Sequence, residues 1–313
     1  MDFFTHLLIA VLISVLTLNS MPFSIVLYAC IMAILADFDI ILEPLRKIIK
    51  SNLLAHKGIS HSIFYAALVS ALTGGIFSVI TKESFFLAWL IGFAFYDLHI
   101  LLDFLTASKI PLFYPLTKKR YRFFIDRAIN FSLALISAGI VMFYIVTFFF
   151  WQEIVFSGLI YYIVGFYLVY FIIRITIKIV IKINYPNNHK FIPGISPFSY
   201  LIYVRTEKGD YLHFKLIFKS LFKHNSQLVL ESIIVGNSHN KELLSKSSDL
   251  IKSFPFGEKW IYFVPIFEEN ENSTTLDFFF AESYFKGHSY SIKIVFDNVT
   301  HEILELSDGF NRK

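Results

Sequence analysis

The stretch HKGISHSIFYAALVSALTGGIFSVI, residues 56–80, sets two histidines and a lysine directly against a long apolar run. From Ser62 to Ile80 there is no charged side chain. A run of about 20 apolar residues is what a helix needs to cross a bilayer. A histidine at the mouth of such a helix is costly unless it has a partner, so His56 and His61 raise the question of where theirs are.

Similar apolar blocks occupy 3–18, 23–36, 85–105, 129–151 and 154–183. With 62–80 they predict an α-helical integral membrane bundle of about six spans. The whole chain agrees: its 313 residues are 56% hydrophobic and 17% charged, against about 25% charged in a soluble domain. Mean hydropathy is +0.60. The first block does not read as a cleavable signal, since Asp2 is acidic and no small-residue cleavage site follows. The single cysteine, Cys30, excludes an intrachain disulfide and a Cys-rich zinc site, and it reads as a small buried hydrophobe.

Threading six spans puts the N-terminus, 37–59, 106–128 and everything after about 183 on one side. That side collects Arg46, Lys47, Lys50, Lys57, Lys109, Lys118, Lys119, Arg120, Arg122 and Arg127, then the basic end of the last span with Arg174, Lys178 and Lys182. The other side holds Lys82 alone. The positive-inside rule makes the basic side cytoplasmic. The expectation is a multi-pass protein of the inner membrane with its N-terminus and C-terminal domain in the cytoplasm.

Charge and patterning change along the chain. Residues 1–190 carry 15 Lys and Arg against 9 Asp and Glu; residues 191–313 carry 13 against 15. Neither half has the dense basic stripe of a nucleic-acid binder. After 186–188, alternating apolar patterns appear at 200–206, 211–218, 228–235, 260–267, 276–281 and 290–296. Glu207-Lys208-Gly209-Asp210 is a hairpin turn signal, and 241–252 is the one helical candidate. Three regions follow: a four-helix membrane core over 1–128, two further membrane helices over 129–186, and a small α+β soluble domain with an antiparallel sheet over 187–313.

Ionisable residues then fall into a pattern. His6 lies at the cytoplasmic end of span one, Asp37 and Asp39 at that end of span two, and His56 and His61 at that end of span three. His99 and Asp103 lie near that end of span four. The sides were assigned from Lys and Arg alone, so this convergence is independent of the assignment. His99 and Asp103, at i and i+4, project from one helix face. Asp37 and Asp39 flank Phe38 in what reads as a short extended turn, where alternate side chains point the same way. Imidazole and carboxylate together suit zinc, with manganese or iron as alternatives, and a set this large could hold one or two ions. Asp97 reads as a local polar partner. The histidines of the last third, His189, His213, His224, His239, His288 and His301, lack ligand spacing and receive no role. Asn272 and Asn298 match glycosylation acceptors, but a cytoplasmic domain would not be modified.

The order of these elements carries a resemblance: an early His, Asp-x-Asp after the second apolar run, His-Lys-Gly-Ile-Ser-His-Ser, then His-x-x-x-Asp followed by Thr and a downstream Pro. It resembles the family of membrane-bound, metal-dependent hydrolases named for a LexA-binding, inner-membrane-associated protein. The likeness covers about residues 1–125. Lys57 and Ser60 stand where that family has Arg and Thr, Ala36 where it has Pro, Leu98 where it has Ser, and Ser108 where a Gly commonly follows. PGISPFSYLIY, 193–203, is similar to the start of a tail that some members carry.

The resemblance implies a divalent metal and hydrolysis at the cytoplasmic membrane face. His6, Asp37, Asp39, His56, His61, His99 and Asp103 would be ligands. Asp39 would be a candidate base, and Lys57 a group that holds an anion. A site at the interface favours membrane lipids and an amphiphilic phosphate or carboxylic ester as substrate. The rival is a non-enzymatic membrane scaffold with a structural metal and a tail that binds an unidentified partner protein. Transport is disfavoured, because the far side offers only Lys82, Glu83 and Glu153.

Overall fold

A computed structural model of the chain describes residues 1–42, 57–127, 130–151, 157–185, 189–235, 239–251, 254 and 260–312. They divide into two compact units, Met1–Phe171 and Ile172–Lys313. The first unit is helical. α1 (Phe3–Thr17) starts at Asp2, whose carboxylate accepts from the Thr5 amide at 2.9 Å and from the Thr5 hydroxyl at 2.8 Å. α2 (Phe23–Leu35) follows Pro22 and runs on as a 3-10 helix, Ala36–Leu42. A second 3-10 turn, Ile59–His61, leads into α3 (Ile63–Thr81). Ser62 caps α3, its hydroxyl accepting from the Tyr65 amide at 3.2 Å. The last residue of the HKGISHS motif is therefore a helix cap. α4 (Phe85–Phe104), α5 (Phe131–Trp151) and the first part of α6 (Ser157–Asn184), which continues beyond Phe171, complete the helices of this unit.

Among the described residues, four helices are long and apolar enough to cross a membrane: Phe23–Ile41, Ile63–Thr81, Phe85–Phe104 and Gly158–Asn184. Two apolar helices are shorter over their described residues, Phe3–Thr17 and Phe131–Thr147. Among the described residues, four candidate spans thus stand where six were expected. For α1 the reason is length: at 15 residues it extends only about 22 Å, short of a hydrocarbon core of about 30 Å.

The small residues decide how α3 meets α4. Ala66, Ser70 and Gly74, four apart, are the buried face of α3. A Cβ on Gly74 would stand 3.0 and 3.1 Å from the backbone of Trp89. On the opposite face Leu68, Leu72, Ile76 and Val79 are exposed, up to 83% for Val79. Small residues towards a neighbouring helix and large apolar ones outward are the pattern of a helix packed in lipid. The core across α1, α2, α3 and α4 includes Ile25, Tyr28, Met32, Ala66, Phe95 and Tyr96. A second cluster joins Leu8 and Leu12 of α1 to Leu133 of α5 and Tyr167 of α6. After α4 the loop folds back on the helix end: the amides of Phe123 and Ile125 donate to the carbonyls of Phe104 and Leu105 at 2.7 and 2.8 Å.

The second unit holds two four-stranded antiparallel sheets where one was expected. The first runs β1 (His189–Pro193), β2 (Ser199–Lys208), β3 (Tyr211–Ser220) and β4 (Lys223–Val235) in order. β2 and β3 meet in the two-residue turn at Gly209-Asp210, with Lys208 opposite Tyr211 and Gly209 at φ 52°. The second sheet runs β5 (Phe263–Glu269), β6 (Ser273–Phe280), β7 (His288–Asp297) and β8 (Ile303–Arg312). α7 (His239–Ile251) lays Leu243 and Ile251 against Leu276, Phe278 and Ile292 of this sheet. The sequence reading lacked β1 and β8. β8 alternates little and is mostly exposed, as an edge strand can be.

Candidate metal centre

Four side chains from three segments converge at one end of the helical unit. Asp37 comes from the 3-10 extension of α2, His61 from the turn before α3, and His99 and Asp103 from the last two turns of α4. One ligand atom from each lies within 4.8 Å of all the others. His61 Nε2 stands 3.1 Å from Asp103 Oδ2, 3.2 Å from His99 Nε2 and 4.0 Å from Asp37 Oδ1. His99 Nε2 stands 3.5 Å from Asp37 Oδ1 and 3.8 Å from Asp103 Oδ2. Donors around a tetrahedral zinc ion, with bonds of about 2.1 Å, are about 3.4 Å apart. The observed separations bracket that value. His61, His99 and Asp103 are fully buried, and only Asp37 keeps some exposure.

The two imidazoles are fixed from behind. His99 Nδ1 lies 2.8 Å from the carbonyl of Ala33. A carbonyl only accepts, so Nδ1 carries the proton and Nε2 the lone pair. Ser60 donates its hydroxyl proton to Asp39 Oδ2, and its oxygen lies 2.9 Å from His61 Nδ1. That oxygen accepts the Nδ1 proton, and His61 Nε2 likewise presents a lone pair. Asp39 Oδ2 itself is 3.4 Å from His61 Nδ1. Burial pushes the His61 pKa down to about 3, which keeps the ring neutral, the form that binds metals. Two lone pairs then face each other across 3.2 Å. This contact is repulsive as it stands and becomes favourable with a cation between the rings. Ligating histidines held through the other nitrogen by a carboxylate or carbonyl are the usual arrangement in metal sites. The four residues therefore fit a divalent ion.

The remaining expected residues surround this group. His6, on α1, stacks on His99 with ring centroids 3.8 Å apart. Its Nε2 is 3.3 Å from Asp103 Oδ1, and both its buried ring nitrogens lack a hydrogen-bond partner. The amino group of Met1 also touches Asp103 Oδ1. Lys57 has a left-handed backbone, φ 63°. Its amide donates to Asp39 Oδ2 at 2.9 Å, while its ammonium lies 2.8 Å from Asp103 Oδ2. His56 lies outside the described residues.

One local expectation is corrected. Asp37 and Asp39 sit in a 3-10 helix, not an extended turn. At three residues per turn, positions two apart are rotated by about 240° and point in different directions. Asp37 consequently faces the imidazoles, whereas Asp39 stands behind His61. Two further residues contribute, Ser60, noted above only for its place in the motif, and Tyr96. Ser60 couples Asp39 to His61, and the Tyr96 hydroxyl donates to the Ser60 carbonyl at 3.0 Å. Adjacency to His61 was a signal for Ser60. Tyr96 had none, because only the approach of α4 to the turn brings it there.

No curated protein and no solved structure matches the chain. A family model described as YdjM inner membrane protein matches residues 1–178, more than half of the chain and all of the segment that carries the cluster, and the chain belongs to this inner-membrane family.

Proposed function

We propose that this chain is a membrane-embedded, metal-dependent hydrolase whose site lies at the cytoplasmic face of the inner membrane. The observation that carries the reading is the pair of proton-free Nε2 atoms aimed at each other between two carboxylates. Asp37, His61, His99 and Asp103 would hold the ion, zinc by donor type, with manganese or iron as alternatives. When bound, such an ion polarises an ester oxygen and lowers the pKa of water. Asp39 and Ser60 orient His61 and fix its tautomer. His6 Nε2, 3.3 Å from Asp103 Oδ1 and without a formed hydrogen bond, is placed to take or return a proton beside Asp103, or to ligate a second ion. Lys57 offers a positive charge at the same carboxylate. A site at the ends of membrane helices favours an amphiphilic phosphate or carboxylic ester.

The test is metal analysis of detergent-purified protein, followed by assay on a panel of lipid phosphates and esters. The expected result is at least one divalent ion per chain, with one equivalent fewer in His61→Ala and Asp103→Ala than in the wild type, and metal-dependent turnover of a panel member. Wild-type protein free of divalent metal would overturn the reading. A second reading, a scaffold with a structural ion and a partner-binding tail, draws on one observation. Four protein donors, three of them fully buried, already fill a tetrahedral shell, as closed structural sites do. An ion that resists chelators, without any turnover on the panel, is the result that favours it.

A further inference from the structure

A second group of potential ligands occurs far along the chain. His239 and Glu242 lie in the first turn of α7, at i and i+3, and His301 lies in the turn between β7 and β8. One donor atom from each stands within 4.8 Å of the other two. The rings of His239 and His301 are 4.2 Å apart, centroid to centroid, at 50°.

Both supports of the group are well anchored. α7 is held to the sheet by Leu243 and Ile251, and by Asn240, whose side chain donates to Glu269 Oε1 at 3.1 Å. In the turn, Asp297 Oδ1 accepts from the amides of Val299 and Thr300, each at 2.8 Å. The His301 amide closes it on the Asp297 carbonyl at 3.0 Å. His301 adopts φ 58°, a left-handed conformation that non-glycine residues take seldom, with His, Asn and Asp the commonest exceptions. The turn thus holds an imidazole over the helix start at some conformational cost. Glu242 is exposed and now pairs with Lys246 at 2.8 Å. An exposed side chain can swing by the ångström or so that separates 4.8 Å from the donor spacing of a bound ion, about 3.4 Å.

We propose that His239, Glu242 and His301 form a binding site for a divalent transition-metal ion of the zinc type, which clips α7 to the β7–β8 turn. Two imidazoles and one carboxylate are a donor set that zinc uses with a fourth position left to water. The site shares no residue with the helical cluster, and it stands or falls separately from the reading given above.

The experiment is equilibrium dialysis of the full-length, detergent-purified protein against Zn²⁺, with bound zinc counted per chain. His301→Asn removes the imidazole while suiting the left-handed backbone, and Glu242→Gln removes only the charge. Expected are one fewer equivalent in His301→Asn and at least a tenfold weaker equivalent in Glu242→Gln. In Asp103→Ala the tail equivalent should persist while the membrane-site equivalent disappears. The proposal is overturned if His301→Asn and Glu242→Gln bind zinc as the wild type does, or if Asp103→Ala binds none.

Discussion

At the residue scale, the difference between Asp37 and Asp39 is the most informative detail of the site. Both carboxylates sit in one Asp-Phe-Asp step, yet one faces the converging nitrogens and the other supports His61 from behind. Their substitutions should therefore differ. Asp37→Ala removes a ligand and is expected to abolish tight binding. Asp39→Asn keeps the shape but weakens the hold on Ser60 and His61, and should cost about 10–100-fold in metal affinity, the range for partners behind a ligand. Competition with a chelator of known affinity measures both. Equal losses in the two variants would mean that Asp39 ligates directly. The candidate ligands were legible because ionisable side chains are rare in apolar runs and so stand out. Their division of labour was not, because it depends on a 3-10 twist that two letters on either side of a Phe do not encode.

At the scale of elements, the α3–α4 contact is set by the smallest residues. Gly74 is the tightest point: its missing Cβ lies against backbone atoms of Trp89 and Ala88, which cannot rotate away as a side chain can. Gly74→Val should destabilise the helical unit by about 1–3 kcal/mol, as overpacking does. It should also loosen His61 relative to His99, since the Ile59–His61 turn leads directly into α3 and α4 carries His99. Leu72→Ala, on the exposed face at 62%, should change stability by less than about 0.5 kcal/mol. Thermal unfolding in detergent compares the two, and a larger loss in Leu72→Ala would refute this account of the interface. Gly92 leaves room between α4 and α2 for the Tyr28 side chain, whose ring would stand 3.1 Å from a Cβ there; this neighbour, unlike those of Gly74, is a side chain. The hairpin at Gly209 was legible because turn chemistry is local. The existence of two sheets was not, since strand partners are chosen by pairing across long separations.

At the scale of the whole molecule, topology follows from where helix ends and charges fall. In sequence, the segments rich in Lys and Arg adjoin the ends of α2, α3 and α4 that carry the cluster, and the positive-inside rule predicts a cytoplasmic face for those ends, the orientation proposed above. Cys30 is the single cysteine and is buried, so cysteines added one at a time can be labelled against a quiet background. Lys118→Cys should react with a membrane-impermeant reagent only in inverted vesicles, and Glu83→Cys only from the opposite face. The reverse pattern would invert the assignment. Sequence by itself determined that the chain is a membrane protein with a β-rich second half, because hydrophobic length and residue alternation are local properties. It also marked the polar residues gathered at one end, since helix ends follow from span order. Tertiary structure alone decided which of them meet. The Nε2 atoms of His61 and His99 face each other because α4 lies against the Ile59–His61 turn, and because Ala33 and Ser60 hold their Nδ1 protons. No spacing along the chain encodes that arrangement, since it arises from the packing of helices on Gly and Ala and from hydrogen bonds between segments distant in sequence.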